Sequence, residues 1–235
     1  FEAVLMQSPT QVQDENGVLV YDTNPAVRDA WNVAMHALGE RPLGDDPCPD
    51  LVDVQRISAN LGTLSDEWHI GLRSGGFAAA LAPSWLLGRI QTTAPETSGA
   101  WNIVAVPGTG GNSGGIHLGV HSQSPHRELA LDLIAYLRAP TIQRSVFESS
   151  WNLPVSTSLH QDPRIVERTS PFFGEAPVAS VYLDSVAAHV TAPTGPEFRM
   201  ILREFRSAVG RVESGALGPE DAWTEALWRV TQFLT

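Results

Sequence analysis

Lysine is absent from this chain: all fifteen basic residues are arginine, set against 26 aspartates and glutamates for a formal charge of −11. The arginines stand singly, with no basic run and no aromatic–basic interleaving. That pattern argues against the phosphate-neutralising surface of a nucleic-acid binder and against an anionic membrane surface. Cysteine is nearly absent as well. Cys48, between Pro47 and Pro49, has no partner for an intrachain disulfide, and no cysteine–histidine cluster has zinc-like spacing, so neither metal nor cofactor is expected. No apolar run reaches the roughly 18 residues needed to span a bilayer. A phosphate loop, a dinucleotide fingerprint and a glycosidase-type carboxylate pair are missing too. With 43% hydrophobic residues, the chain reads as a globular protein able to bury one large core or two small ones.

What is present is a set of well-punctuated helices. Asn24-Pro25, followed by Val27, Ala30, Ala34 and Leu38 and then Gly39, combines a cap, a first-turn proline, helical spacing and a stop. Phe198, Ile201, Leu202, Phe205, Val209 and Val212 fall on one helical face closed by Gly215. After Gly218-Pro219, the residues Ala222, Trp223, Ala226, Leu227, Val230 and Phe233 form another. A helix is expected from Ser84 through Trp85, Leu86 and Ile90, and a short one around Val52 to Leu61. After the turn Ser124-Pro125, a helix carries Leu129, Leu133, Ile134 and Leu137, then comes a shorter helix and the return Asn152-Leu153-Pro154. Three segments predict strands: Phe77 to Leu81, Trp101 to Val106, and Ile116 to Val120. A solitary strand leaves its backbone groups unpaired, so each demands a sheet assembled from distant segments. Between the second and third lies a crossover, 108 to 115, with five glycines in eight residues.

The order of these pieces carries a resemblance. Ser113 to Ser158 resembles the passage by which solute-binding proteins of ABC importers send their chain through one lobe and back to the other. This is the extracellular family that contains the maltose- and oligosaccharide-binding proteins. Ser124-Pro125 with Glu128-Leu129-Ala130 is similar to the family's helix start, and Leu153-Pro154 to its return. Leu72 to Ala80, Ala82-Pro83-Ser84-Trp85, Asp162-Pro163-Arg164-Ile165 and Glu220-Asp221-Ala222 resemble further family stretches in the same order. The resemblance implies an α/β, periplasmic-binding-protein-like two-lobe fold, here truncated and helix-rich. It puts residues 1–108 and 156–235 in the C-terminal lobe and 114–152 in the N-terminal lobe, with hinges near 107–115 and 152–156. Relatives run to about twice this length, so most of one lobe is expected to be missing and Phe1 to lie mid-chain. A lipoprotein signal upstream would anchor the protein to the membrane from the extracellular or periplasmic side. The apolar face of 114–152 would then lack its native partner, and self-association through it is expected.

The same resemblance implies binding without chemistry. An extracellular carbohydrate would be held between lobes, and hinge closure would present the complex to the ABC permease in the membrane. Sugar recognition needs aromatic faces for the C–H side of a pyranose and planar polar groups for its hydroxyls. Trp85 is the stacking candidate, and Trp151 lies beside the return crossover. Gly114 and Gly115 let backbone amides approach a ligand. Asn112, Ser113 and His117 offer hydrogen bonds, and Arg199 a bidentate contact. Each has a plainer role as well: core or hinge packing for the tryptophans, hinge freedom for the glycines, the polar face of a strand for His117, an ion pair for Arg199. The relatives' stacking aromatic in the long helix falls near Leu202 or Arg203, neither of them aromatic, which argues against a maltodextrin.

Three alternatives stand beside this reading. One is a binder of a non-sugar solute, such as a polyamine, a phosphodiester or an iron chelate. Another is an interaction-only helical domain. The third is a trypsin-like serine protease, because Gly111 to Gly115 reads GNSGG, like that family's nucleophile loop. The protease requires a histidine and an aspartate upstream on a double β-barrel. His36 lies within a helix pattern, His69 follows an acidic turn, and the downstream residues read as helices. With one lobe incomplete, these 235 residues are expected to hold sugar weakly or not at all.

Overall fold

A computed structural model describes residues 1–44, 55–112 and 115–235. The helices in these stretches are α1 (Glu2–Leu5), α2 (Pro25–Leu38), α3 (Asp66–Ser74), α4 (Ser84–Thr93), α5 (Arg127–Leu137), α6 (Pro140–Ser150), α7 (Pro163–Val166), α8 (Val178–Ala188), α9 (Phe198–Glu213) and α10 (Pro219–Leu234). Their contacts divide the chain into two compact units. The first comprises Phe1–Leu61, Gly108–Asn112 and His189–Thr235; the second comprises Gly62–Pro107 and Ser113–Ala188. The glycine-rich crossover therefore holds two unit boundaries, whereas the chain stays within the second unit through 152–156.

In the first unit, α2 forms where its caps predict. The Asn24 carboxamide accepts from the Ala26 N–H at 3.0 Å and donates to the carbonyls of Thr10 and Gln11 at 2.8 and 2.6 Å. One side chain thus caps the helix and pins the preceding loop to it. Gly39 ends the helix at φ 75°, and a Cβ there would lie 2.8 Å from the Arg56 backbone nitrogen. Both the left-handed conformation and the close approach demand glycine. The apolar faces of α2, α9 and α10 meet around Trp31, Phe205 and Trp223. Trp31 and Trp223 cross edge-on at 5.4 Å, and Phe205 sits 5.3 Å from Trp223. These geometries suit the aromatic quadrupole. Arg28 covers the Trp223 ring at 4.3 Å.

The second unit packs around α4, which buries Leu86, Leu87 and Ile90. Phe147, Trp151 and Phe173 form its aromatic centre, with Trp151 edge-on to both neighbours at 5.5 and 6.1 Å. Trp151 ends α6 in the left-handed region, at φ 61°. A bulky residue tolerates that conformation only when its surroundings hold it there. Here the buried indole donates from Nε1 to Gln91 Oε1 at 3.0 Å, and Arg168 lies 5.0 Å over the ring. At the start of α7, Asp162 accepts from Arg144 of α6 and from Arg164, and its carboxylate also caps α7. The Arg164 hydrogen bond, above all, holds the Asp162 carboxyl down at about 2.

Several expectations need correction. Among the described residues no strand forms, and the isolated bridge joins Gln13 to Leu19. Residues 77–81, 101–106 and 116–120 run without a ladder. Local composition favours extended backbone there, but a strand exists only where a second segment pairs with it. The helix-rich half of the expected class is therefore realised, and the sheet is not seen. The short helix expected around 52–61 lies partly outside the described residues, and 55–61 are not helical. The protease alternative fails as well. Where barrel strands would have to follow the GNSGG loop, the chain forms α5, α6, α8, α9 and α10.

One helix of the second unit is unlike the others. α5 has its expected periodicity yet buries none of its residues. Leu129 is 70% exposed and Leu133 56%, and Ile116, earlier in the same unit, is 93% exposed.

Candidate functional site

The site grows out of the way α4 begins. Extended Pro83 (φ −67°, ψ 156°) precedes the helix, so Ser84 opens it and Trp85 falls in the first turn. The loop before it is tied down by Tyr182, whose hydroxyl donates to the Ala82 carbonyl at 2.6 Å. Burial pushes that phenol up to about 12, so it stays a neutral donor. From Trp85, helical spacing brings Gly88, Arg89 and Thr92 onto the same face, at i+3, i+4 and i+7. The opposite face, Leu86, Leu87 and Ile90, is buried. The inward face thus fixes the rotation of the helix and turns Trp85 outward, 41% exposed.

The second wall is the C-terminal end of α6. Gly88 lets it approach: a Cβ at that position would lie 2.7 Å from the Ser150 carbonyl oxygen. The left-handed turn at Trp151 then carries the chain to Asn152. The Asn152 amide donates to Ser150 Oγ at 2.8 Å, while Ser149 and Ser150 donate to the Val146 carbonyl. Across the end of α6, the Leu153 N–H donates to Ser84 Oγ at 3.3 Å, locking the return segment to the start of α4. Between these walls, with Gly115 and Ile116 at its edge, lies a hollow of about 620 Å³. It combines one exposed indole, one guanidinium and several small polar groups, the composition that orients a polar ligand with an apolar face. A second hollow, about 860 Å³, lies between α3 and α4 and is bordered by Asp66, His69, Arg73 and Arg89. Arg73 is committed there, to the Thr93 carbonyl at 2.9 Å and to Glu96. Among the described residues, no cluster of three or more His, Cys, Asp or Glu has metal-holding geometry.

The structure brings together only part of the predicted constellation. Trp85 and Gly115 line the same hollow. His117 is exposed nearby in sequence but does not line it. Trp151 is buried in the aromatic centre of the second unit, and its neighbour Asn152 takes the lining position. Ser113 and Gly114 lie outside the described residues. Asn112 and Arg199 are exposed and belong to the first unit. Arg89, Thr92 and Asn152 were missed by the reading from sequence. For the first two a signal existed, because once Ser84 opens a helix their spacing from Trp85 places them on its face. For Asn152 none did, because its position depends on the unusual backbone at Trp151.

Neither a protein-family model nor a curated protein matches the chain. Solved structures do. An extracellular solute-binding protein of family 1 superposes with a TM-score of 0.77 at 27% identity, over 98% of this chain and 56% of its own. The ABC transporter associated binding protein from B. animalis subsp. lactis Bl-04, solved in complex with β-1,6-galactobiose, superposes at 0.73 and 17% identity, over 99% of this chain and 58% of its own. The sugar-binding protein MalE from Xanthomonas citri gives 0.65 and 20%, over 99% and 54%. The chain therefore spans little more than half the length of the structures it matches. Along nearly all of its described course, it has the fold of the extracellular solute-binding proteins associated with ABC transporters.

Proposed function

We propose that this chain binds carbohydrate as part of an extracellular solute-binding protein serving an ABC importer, and that Trp85 is its stacking surface. The observation that carries this reading is the exposed indole on a hollow whose other lining is glycine, hydroxyl and carboxamide groups together with Arg89 and Ile116. Folding ordinarily buries a tryptophan in the core, as it does Trp31, Trp68, Trp151 and Trp223 here; Trp228 is exposed too, but it lines neither hollow. An indole left out beside hydroxyl and carboxamide groups suits a pyranose, which offers both a C–H face and hydroxyls. In this reading no bond is made or broken. Contacts formed only when the protein closes on its ligand favour the form that docks on the permease. The location is extracellular or periplasmic, with a lipid anchor as the means of retention there. The uncovered apolar residues of α5 support self-association of the 235-residue chain.

A panel of neutral saccharides titrated against intrinsic tryptophan fluorescence tests the reading. A responding sugar should lose about tenfold or more in affinity in Trp85→Ala, the loss expected for a stacking contact together with its buried area. Binding is expected to be weak, so the titration runs to high millimolar sugar; saccharide binding that is indifferent to Trp85→Ala, or no response to any sugar even there, would contradict the reading.

A further inference from the structure

Resting on that saccharide reading, we infer that the hollow beside α4 takes an acidic sugar, a uronate, with the carboxylate on Arg89 and a pyranose ring on Trp85. In a chain with 26 acidic residues and fifteen arginines, carboxylate partners are plentiful. Arg56, Arg73, Arg144, Arg206, Arg211 and Arg229 each hold one. Arg89 holds none among the described residues. It stands one helical turn from Trp85, and both line the same hollow. Among the described residues no other side chain lining that hollow is ionisable, so the one formal charge they supply to it is this guanidinium. Thr92 Oγ1 is turned back onto the Gly88 carbonyl at 2.9 Å, and Ser149 and Ser150 donate to the Val146 carbonyl. Among the described residues the lining of this hollow therefore offers Arg89 no internal anion; Asp66 borders the separate hollow between α3 and α4 and forms no ion pair with Arg89 among those residues.

A neutral sugar settling here would strip water from the guanidinium and return only hydroxyl contacts. A carboxylate returns two parallel charge-assisted hydrogen bonds to the planar fork. The spacing suits one ligand with both features, since residues at i and i+4 of a helix lie side by side on its surface. An isolated anion such as acetate would use Arg89 alone and leave the indole uncovered. A uronate within a saccharide uses both.

The experiment titrates the 235-residue chain with digalacturonate and, in parallel, with neutral galactobiose, following tryptophan fluorescence at low and at high salt. Digalacturonate should bind about tenfold or more tighter than galactobiose at low salt, and the advantage should shrink as salt screens the pair. Arg89→Gln should bring the two affinities together, while Arg89→Lys keeps part of the preference as a point charge. Arg89 is exposed, so circular dichroism of both variants should match the parent. Equal affinities for the two sugars in the parent chain, or a preference that survives Arg89→Gln, would overturn the acidic-sugar inference and leave the saccharide reading standing. Failure of both sugars to bind even at high millimolar concentration would overturn the two together.

Discussion

Helices α9 and α5 are both periodic in sequence, and the two units treat them in opposite ways. α9 places Ile201, Leu202, Phe205, Ala208 and Val212 in the interior of the first unit, against α2 and α10. α5, with leucines at similar spacing, buries nothing. Periodicity specifies that a helix forms and which of its faces is apolar; it does not specify what covers that face. The first unit closes its aromatic core on itself, with Trp228 and Phe233 of α10 left on its surface. The second leaves a helix face uncovered and an indole on a hollow, the features of a surface built to meet something else.

Substitutions in the two units turn that contrast into numbers. Phe205→Ala, which removes a ring packed on Phe1, Trp31 and Trp223, should cost about 3–5 kcal/mol in urea unfolding. Gly88→Ala forces a methyl against the Ser150 carbonyl. It should cost about 1–3 kcal/mol as overpacking, and it should weaken saccharide binding by pushing the two walls of the hollow apart. Acid should act on the second unit through Asp162. Its carboxyl is depressed to about 2 by Arg164, so its contribution is present above the ordinary aspartate range near 4 and is lost as pH falls through about 2. Asp162→Asn should flatten that part of an acid-unfolding curve. The smallest effect is expected on α5. Leu133→Ser should change stability by no more than about 0.5 kcal/mol, yet it should lower the apparent mass in sedimentation at high concentration if that face joins copies of the chain. A core-sized loss of stability for Leu133→Ser would erase the contrast between the helices.

Legibility from sequence followed the range of the interactions. The helix from Asn24 to Gly39 was readable because its cap, its first-turn proline and its stop are all local. The last two helices were readable from their stripes of apolar residues. Residues 77–81, 101–106 and 116–120 misled, because extended propensity is local while a ladder partner is not. Trp85 was legible as an aromatic following a turn, and Arg89 lay in reach of the same reasoning one turn on. Trp151 was placed beside the return crossover but not in the core. Its left-handed backbone and its bond to Gln91 are products of packing, and that packing is what moves Asn152 to the wall.

The most direct measurement is a crystal structure of the chain grown with saturating saccharide. The account predicts a sugar ring lying flat on the Trp85 indole, with its polar groups toward Arg89 and Asn152. Sugar density away from α4, with the Trp85 indole bare, would contradict it.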